Sequence, residues 1–324
     1  MAIKSIFLCL TAMTLGMGTA SAVDDNTVEI AFNGSAATVS VASNISSYIS
    51  NQSSGSHVKL VQSESFVGNS TGEITYILSG SSTNGEFYLE GSYKCTVEMQ
   101  GLTLTNPSGP AINIQNGKRT KVSVKSGTTN TLTDGANDTY NGCLHCKGHT
   151  EFKGKGTLNI VGKSRHGIYS KEYVEVKNLT INVTAAPKDG IHCKEYFLME
   201  SGTVNITGAS DDGIQVELSD DAATGVTAAH EEENSGNFYM TDGKLTISGY
   251  KGKAIKADGS ITYTGGTQNF DTNDVVVNAG IDGISAPSGA QTVYDLNGRK
   301  INGAIQKAGI YIIRKDGLSR KVIR

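Results

Sequence analysis

The chain has 324 residues, among them 39 glycines, four prolines and no tryptophan. The glycines follow no Gly-X-Y period, which excludes collagen, and 28 basic residues against 31 acidic ones exclude an electrostatic nucleic-acid partner. Apolar residues make up 37%, which suits a thin core spread along an axis better than one large globule.

Lys4 is followed by the apolar run "IFLCLTAMTLGMG" and an "ASA" site. That run is too short to span a bilayer, so residues 1–22 read as a signal peptide. Cys9 comes too early, and without small residues before it, for a lipid anchor. No later stretch is long and apolar enough to be a transmembrane helix. The expected destination is the cell exterior. Residues 23–71 are Ser-rich and irregular and read as an N-terminal cap, with "NISSYI" as a short helical plug. A cap is needed because an open solenoid end exposes strand edges and apolar rungs.

From residue 72 to 270 the chain repeats itself. Gly167–Asp189 and Gly190–Asp212 are identical at ten of 23 positions. "TLNIVG" at Thr157, "TINVTA" at Thr180 and "TVNITG" at Thr203 keep the 23-residue spacing, and "KLTISG" at Lys244 follows after 23 plus an insertion of 18. The apolar period is two and rich in Val, Ile and Thr, so the segments are strands. Gly, Asn, Asp and Ser at their ends supply turns. One such unit cannot bury a face by itself, but a stack of them can. The sequence therefore predicts an all-β, single-stranded parallel β-helix, each coil ~4.8 Å above the last. A β-sandwich would instead give hairpins of irregular spacing. Residues 271–291 have linker composition, and 292–324 read as a small β-rich module with turns at Asn297-Gly298 and Asp316-Gly317.

Cys95, Cys143, Cys146 and Cys193 lie beyond the leader. Cys146 and Cys193 fall two coils apart in one column, roughly 9.6 Å at strand spacing. That exceeds the ~7 Å limit for a bridge. Buried thiols are expected, with a bridge through Cys95 or Cys143 left open.

"AINIQNGKRTKVSVKSGTTNTLTDGAND", the "KDGI" and "DDGI" turns and "GTVNITG" resemble the secreted β-helical carbohydrate-binding-domain family, over about Gly72 to Thr267. The resemblance implies a right-handed β-helix shaped like pectate lyases. It also implies binding of plant cell-wall polysaccharide, acidic pectic chains or cellulose, with Ca2+ as a bound ion. "YDLNGR", "GIYII" and the terminal "KVIR" resemble the C-terminal sorting domain of type IX secretion substrates, which implies an export machinery as a partner. A monomer is expected.

Two sets of residues could carry the chemistry. His166, Asp189 and Asp212 precede the glycine in successive turns, with Asp211 beside them. Carboxylates about 5 Å apart repel unless a cation lies between them. Asp189, Asp211 and Asp212 are thus candidate calcium ligands, the alternative being simple Asx turns. On the strand after each turn, alternation points His145, Tyr169, His192 and Gln215 outward, with Lys147, Lys171 and Lys194 two positions on. Stacked like charges are unfavourable, so the lysines invite an anionic chain such as a polyuronate, and Tyr169 is expected to stack a sugar ring. Glu172 and Glu195 offer internal pairing to the lysines instead. The other acidic places, Asp134 and Asp138 and the 217–234 insertion, read as solvated loops.

A lyase would use Lys171, Lys194, Arg165 or Lys188 as its base, but nothing singles one out. A non-catalytic binding protein is the leading reading, with a calcium-dependent uronate lyase and a surface adhesin as alternatives.

Overall fold

The computed structural model describes residues 23–68, 72–224, 226, 230, 232–277, 292–295, 299–301, 310–315 and 318–323. The expected signal peptide, linker residues 278–291 and the two Gly turns of the C-terminal module lie outside the described residues.

Each coil in the middle of the chain is built from three short strands. Gly142–Cys146, Thr150–Gly154 and Thr157–Val161 make one coil; His166–Ser170, Val174–Lys177 and Thr180–Ala185 make the next. Corresponding strands pair in parallel, so the coils stack into three walls, named here first, second and third in the order the chain visits them. On the first wall Ile168 faces Ile191, which faces Ile214. On the third wall Thr157 faces Thr180, which faces Thr203. The 23-residue interval in the sequence is thus one coil. The insertion leaves the register intact, because Ile214 still faces Ile255. The first wall is a ten-stranded sheet, while the second and third walls join through the long strand Cys95–Thr105. The described chain is all-β with long parallel sheets, a β-solenoid.

Inward residues form apolar ladders with period-two burial along each strand. The third wall contributes Leu132, Ile160, Val183, Ile206 and Ile247, the second Phe197 stacked on Phe238 with ring centroids 5.1 Å apart. Each such side chain stabilises the fold by about 1.5–3 kcal/mol through burial. The Gly-Ile column needs glycine for space. A Cβ on Gly190 would meet Ile206 Cγ2 at 2.6 Å and the Gly213 carbonyl oxygen at 2.7 Å.

Stacking starts earlier than residue 72. His57–Gln62 already pairs in parallel with Glu86–Glu90, and Thr27–Asn33 with Ile74–Ser82. Thr27–Asn33 also forms a hairpin with Ala36–Val41, turned at Gly34, whose φ of 65° suits glycine. Ser43–Tyr48 is a 3-10 helix whose Ile45 is buried. Among the described residues no helix is long and apolar enough to cross a membrane. The four cysteines among the described residues are free and buried, and Cys146 and Cys193 are separated by Ser170 in one column. Near the C-terminus, Thr292–Asp295, Lys300–Ile301, Ile310–Lys315 and Leu318–Ile323 form an antiparallel sheet.

Candidate functional site

The outward column of the first wall has the order expected from the sequence: His145 faces Tyr169, Tyr169 faces His192, and His192 faces Gln215. Its exposure does not. His145 and Tyr169 are 9% exposed and His192 7%. The rings lie on one another, His145 on Tyr169 at 5.1 Å and Tyr169 on His192 at 5.3 Å, with interplanar angles of 13° and 21°. Coils repeat at ~4.8 Å, close to the separation of stacked rings, so neighbouring coils cover each other's aromatic faces. Both faces of Tyr169 are taken. Only ring edges and the phenol are left to an incoming ligand, with no open platform, which corrects the expectation that Tyr169 stacks a sugar ring.

Beside the rings, Lys147 and Lys171 are exposed and Lys194 is half-buried. Lys194 Nζ reaches Asp220 of the insertion at 3.3 Å. Glu172 and Glu195 do not serve the lysines. Both carboxylates grip His149 Nε2, at 3.0 and 3.3 Å. Burial pushes the His149 imidazole down, but these two carboxylates outweigh it and hold it up at about 9. His149 also stacks on Tyr173 at 4.2 Å, and Tyr173 on Tyr196 at 4.7 Å, forming a second ring column at the corner toward the second wall.

The turn column is more fully hydrogen-bonded than its spacing alone suggested. The amide of Asp212 donates to Asp189 Oδ1 at 3.0 Å, and the amide of Lys253 donates to Asp212 Oδ1 at 2.6 Å. Each carboxylate thus ties its coil to the next. Asp189, Asp211 and Asp212 still bring oxygens within 4.8 Å of one another. Burial pushes the Asp212 carboxyl up, and the Asp189 and Asp211 charges add to this against the Lys253 amide. A hard divalent cation would relieve that repulsion, so the donor set fits calcium chemistry.

Asp189 Oδ2 faces the first wall instead. His166 Nδ1 lies 3.1 Å from it and His192 Nδ1 3.0 Å. Burial opposes the Asp189 charge, but the two imidazoles outweigh it and hold the carboxyl well below the usual range. His192 Nε2 continues to Glu217 Oε2 at 3.5 Å. This grouping was missed in the sequence, although "DGIH" carries its signal: the bend at Gly190 returns His192 to the aspartate three residues before it.

Two acidic residues expected in solvated loops are buried. Asp134 is inside, and burial pushes its carboxyl up to about 6 against the amides of Lys163 and Ser164. Glu233 accepts from Tyr239 Oη at 2.8 Å and pairs with His230 Nδ1 at 2.6 Å, fastening the insertion to the second wall.

The sequence profile of the carbohydrate-binding domain-containing protein family matches residues 64–297. The chain belongs to that family. No curated protein matches it. Among solved structures it is similar to the polysaccharide lyase-like protein from C. thermocellum, seen as a gadolinium derivative. The TM-score is 0.56 at 19% identity, covering 77% of this chain and 98% of that one. The likeness extends to the fold.

Proposed function

We propose that this protein is a secreted or cell-surface, non-catalytic carbohydrate-binding protein that takes plant cell-wall polysaccharide along its first wall. Acidic pectic chains fit better than neutral cellulose. The observation that carries this reading is the His145, Tyr169, His192 and Gln215 ladder, flanked by exposed Lys147 and Lys171 and by half-buried Lys194, in a chain of a carbohydrate-binding family. Repeated cations at coil spacing complement a polymer with a carboxylate on every sugar. Ring edges and the Gln215 amide supply polar contacts along the same line.

Calcium at Asp189, Asp211 and Asp212 would neutralise part of the uronate charge at the edge of this track. The scaffold is read as a right-handed single-stranded β-helix acting as a monomer. The resemblance of "YDLNGR" and "GIYII" to sorting domains supports export through a type IX machinery.

The test is to incubate the protein with polygalacturonate and with cellulose, with calcium or with a chelator, following sedimentation and the absorbance of unsaturated product. Calcium-enhanced retention on polygalacturonate without product is expected. Product would assign a lyase, and absence of both binding and product would leave a display scaffold.

A further inference from the structure

His166, Asp189 and His192 converge where the turn column meets the first wall, and the calcium reading leaves the two histidines unused. Their ligand atoms lie within 4.8 Å of one another. All three side chains are buried, Asp189 at 1% exposed, so water does not satisfy them.

Two imidazole nitrogens converge on a single carboxylate oxygen, Asp189 Oδ2. His192 Nδ1 can donate to Asp189 Oδ2. The backbone amide of Asp189 donates to His166 Nδ1 at 3.3 Å, so that nitrogen presents a lone pair. The same nitrogen lies 3.1 Å from Asp189 Oδ2, which carries lone pairs only. In the tautomer that accepts from the amide, the two lone pairs face each other at that distance, and either a proton or a metal ion between them removes the repulsion.

We infer that His166 Nδ1, His192 Nδ1 and Asp189 Oδ2 form a binding site for a divalent transition ion of the zinc class. Imidazole nitrogens with one carboxylate are the donors such ions take, whereas calcium takes oxygens. Ligand atoms around a tetrahedral zinc ion lie about 3.3 Å apart, near the 3.0 and 3.1 Å seen between each nitrogen and the shared oxygen. Behind His192, Glu217 Oε2 lies 3.5 Å from Nε2, in the position of the carboxylate that orients a metal-bound histidine. Tyr169 packs against both imidazoles, at 5.8 and 5.3 Å between ring centroids, so the ion would adjoin the middle of the ring ladder. The site uses Oδ2 of Asp189 and leaves Oδ1 on the Asp212 amide.

The experiment uses the full secreted chain, stripped with chelator and titrated calorimetrically with zinc in excess calcium, with no sugar present. One equivalent of zinc should bind despite the calcium, and cobalt(II) in its place should give visible absorption. Zinc should also raise the melting temperature. His192→Gln and His166→Gln should abolish stoichiometric binding. Should either variant fail to fold by circular dichroism, Glu217→Gln, at a half-buried position, should still weaken binding about 10–100-fold. Absence of stoichiometric zinc binding in the folded wild type would overturn the assignment, as would affinity unchanged in folded His192→Gln or Glu217→Gln. Because no polysaccharide enters the titration, its outcome is independent of the proposed function.

Discussion

The first and third walls come from the same coils, yet their outward ladders behave in opposite ways. On the third wall Asn205 Nδ2 donates to Asn182 Oδ1 and Asn182 Nδ2 to Asn159 Oδ1, both at 2.8 Å. A column of identical amides satisfies itself, because each carries a donor and an acceptor. On the first wall Lys147 and Lys171 are exposed, and ammonium groups, which have donors only, cannot serve one another; Lys194 turns instead to Asp220. Copying a coil therefore copies geometry on every wall, but it leaves unspent binding capacity only where the copied group cannot pair with its own copy.

Phe197→Ala empties a second-wall position in the core that both walls pack against, where Phe197 is fully buried against Phe238. It should cost about 3–5 kcal/mol, read as a lower urea midpoint. Tyr169→Ala removes the ring between His145 and His192 and should lower polygalacturonate affinity tenfold or more, about 1.4 kcal/mol. Calorimetric titration of the polysaccharide gives the answer, and unchanged affinity would take the ring ladder out of the track. Asn182→Ala interrupts the amide ladder and should lower stability by about 1 kcal/mol, with polysaccharide affinity unchanged. A loss of affinity there would move the binding face to the third wall.

The smallest effect is one of pH. His149 is held at about 9, above its ordinary 6.5. Its pairing with Glu172 and Glu195 therefore contributes fully below about pH 6.5, and that contribution is lost as pH rises through about 9. Urea midpoints measured across this window should fall in the wild type and fall less in His149→Gln.

Much of the scaffold was legible before any coordinates. Thr157, Thr180 and Thr203 state the coil length in plain sequence, and alternation placed His145, Tyr169, His192 and Gln215 in one column. Less legible were properties set by side chains from several coils at once. The faces of Tyr169 are covered by rings 24 residues before and 23 after it. His149 meets carboxylates from two later coils. Asp134 and Glu233 look like solvent-facing loop charges in sequence, but both are carried inward by neighbouring backbone and side-chain partners. The early start of stacking at His57–Gln62 was hidden by the Ser-rich composition around it, since composition reports polarity and not pairing.

The exposed lysines beside the ring ladder of the first wall are proposed as a track for an anionic polymer. Titrating the protein with oligogalacturonates of increasing length tests it most directly. Affinity should climb as each added sugar reaches another coil, then level off once the chain spans the lysine column. A single galacturonate binding as tightly as the longer chains, or no binding at any length, would contradict the account.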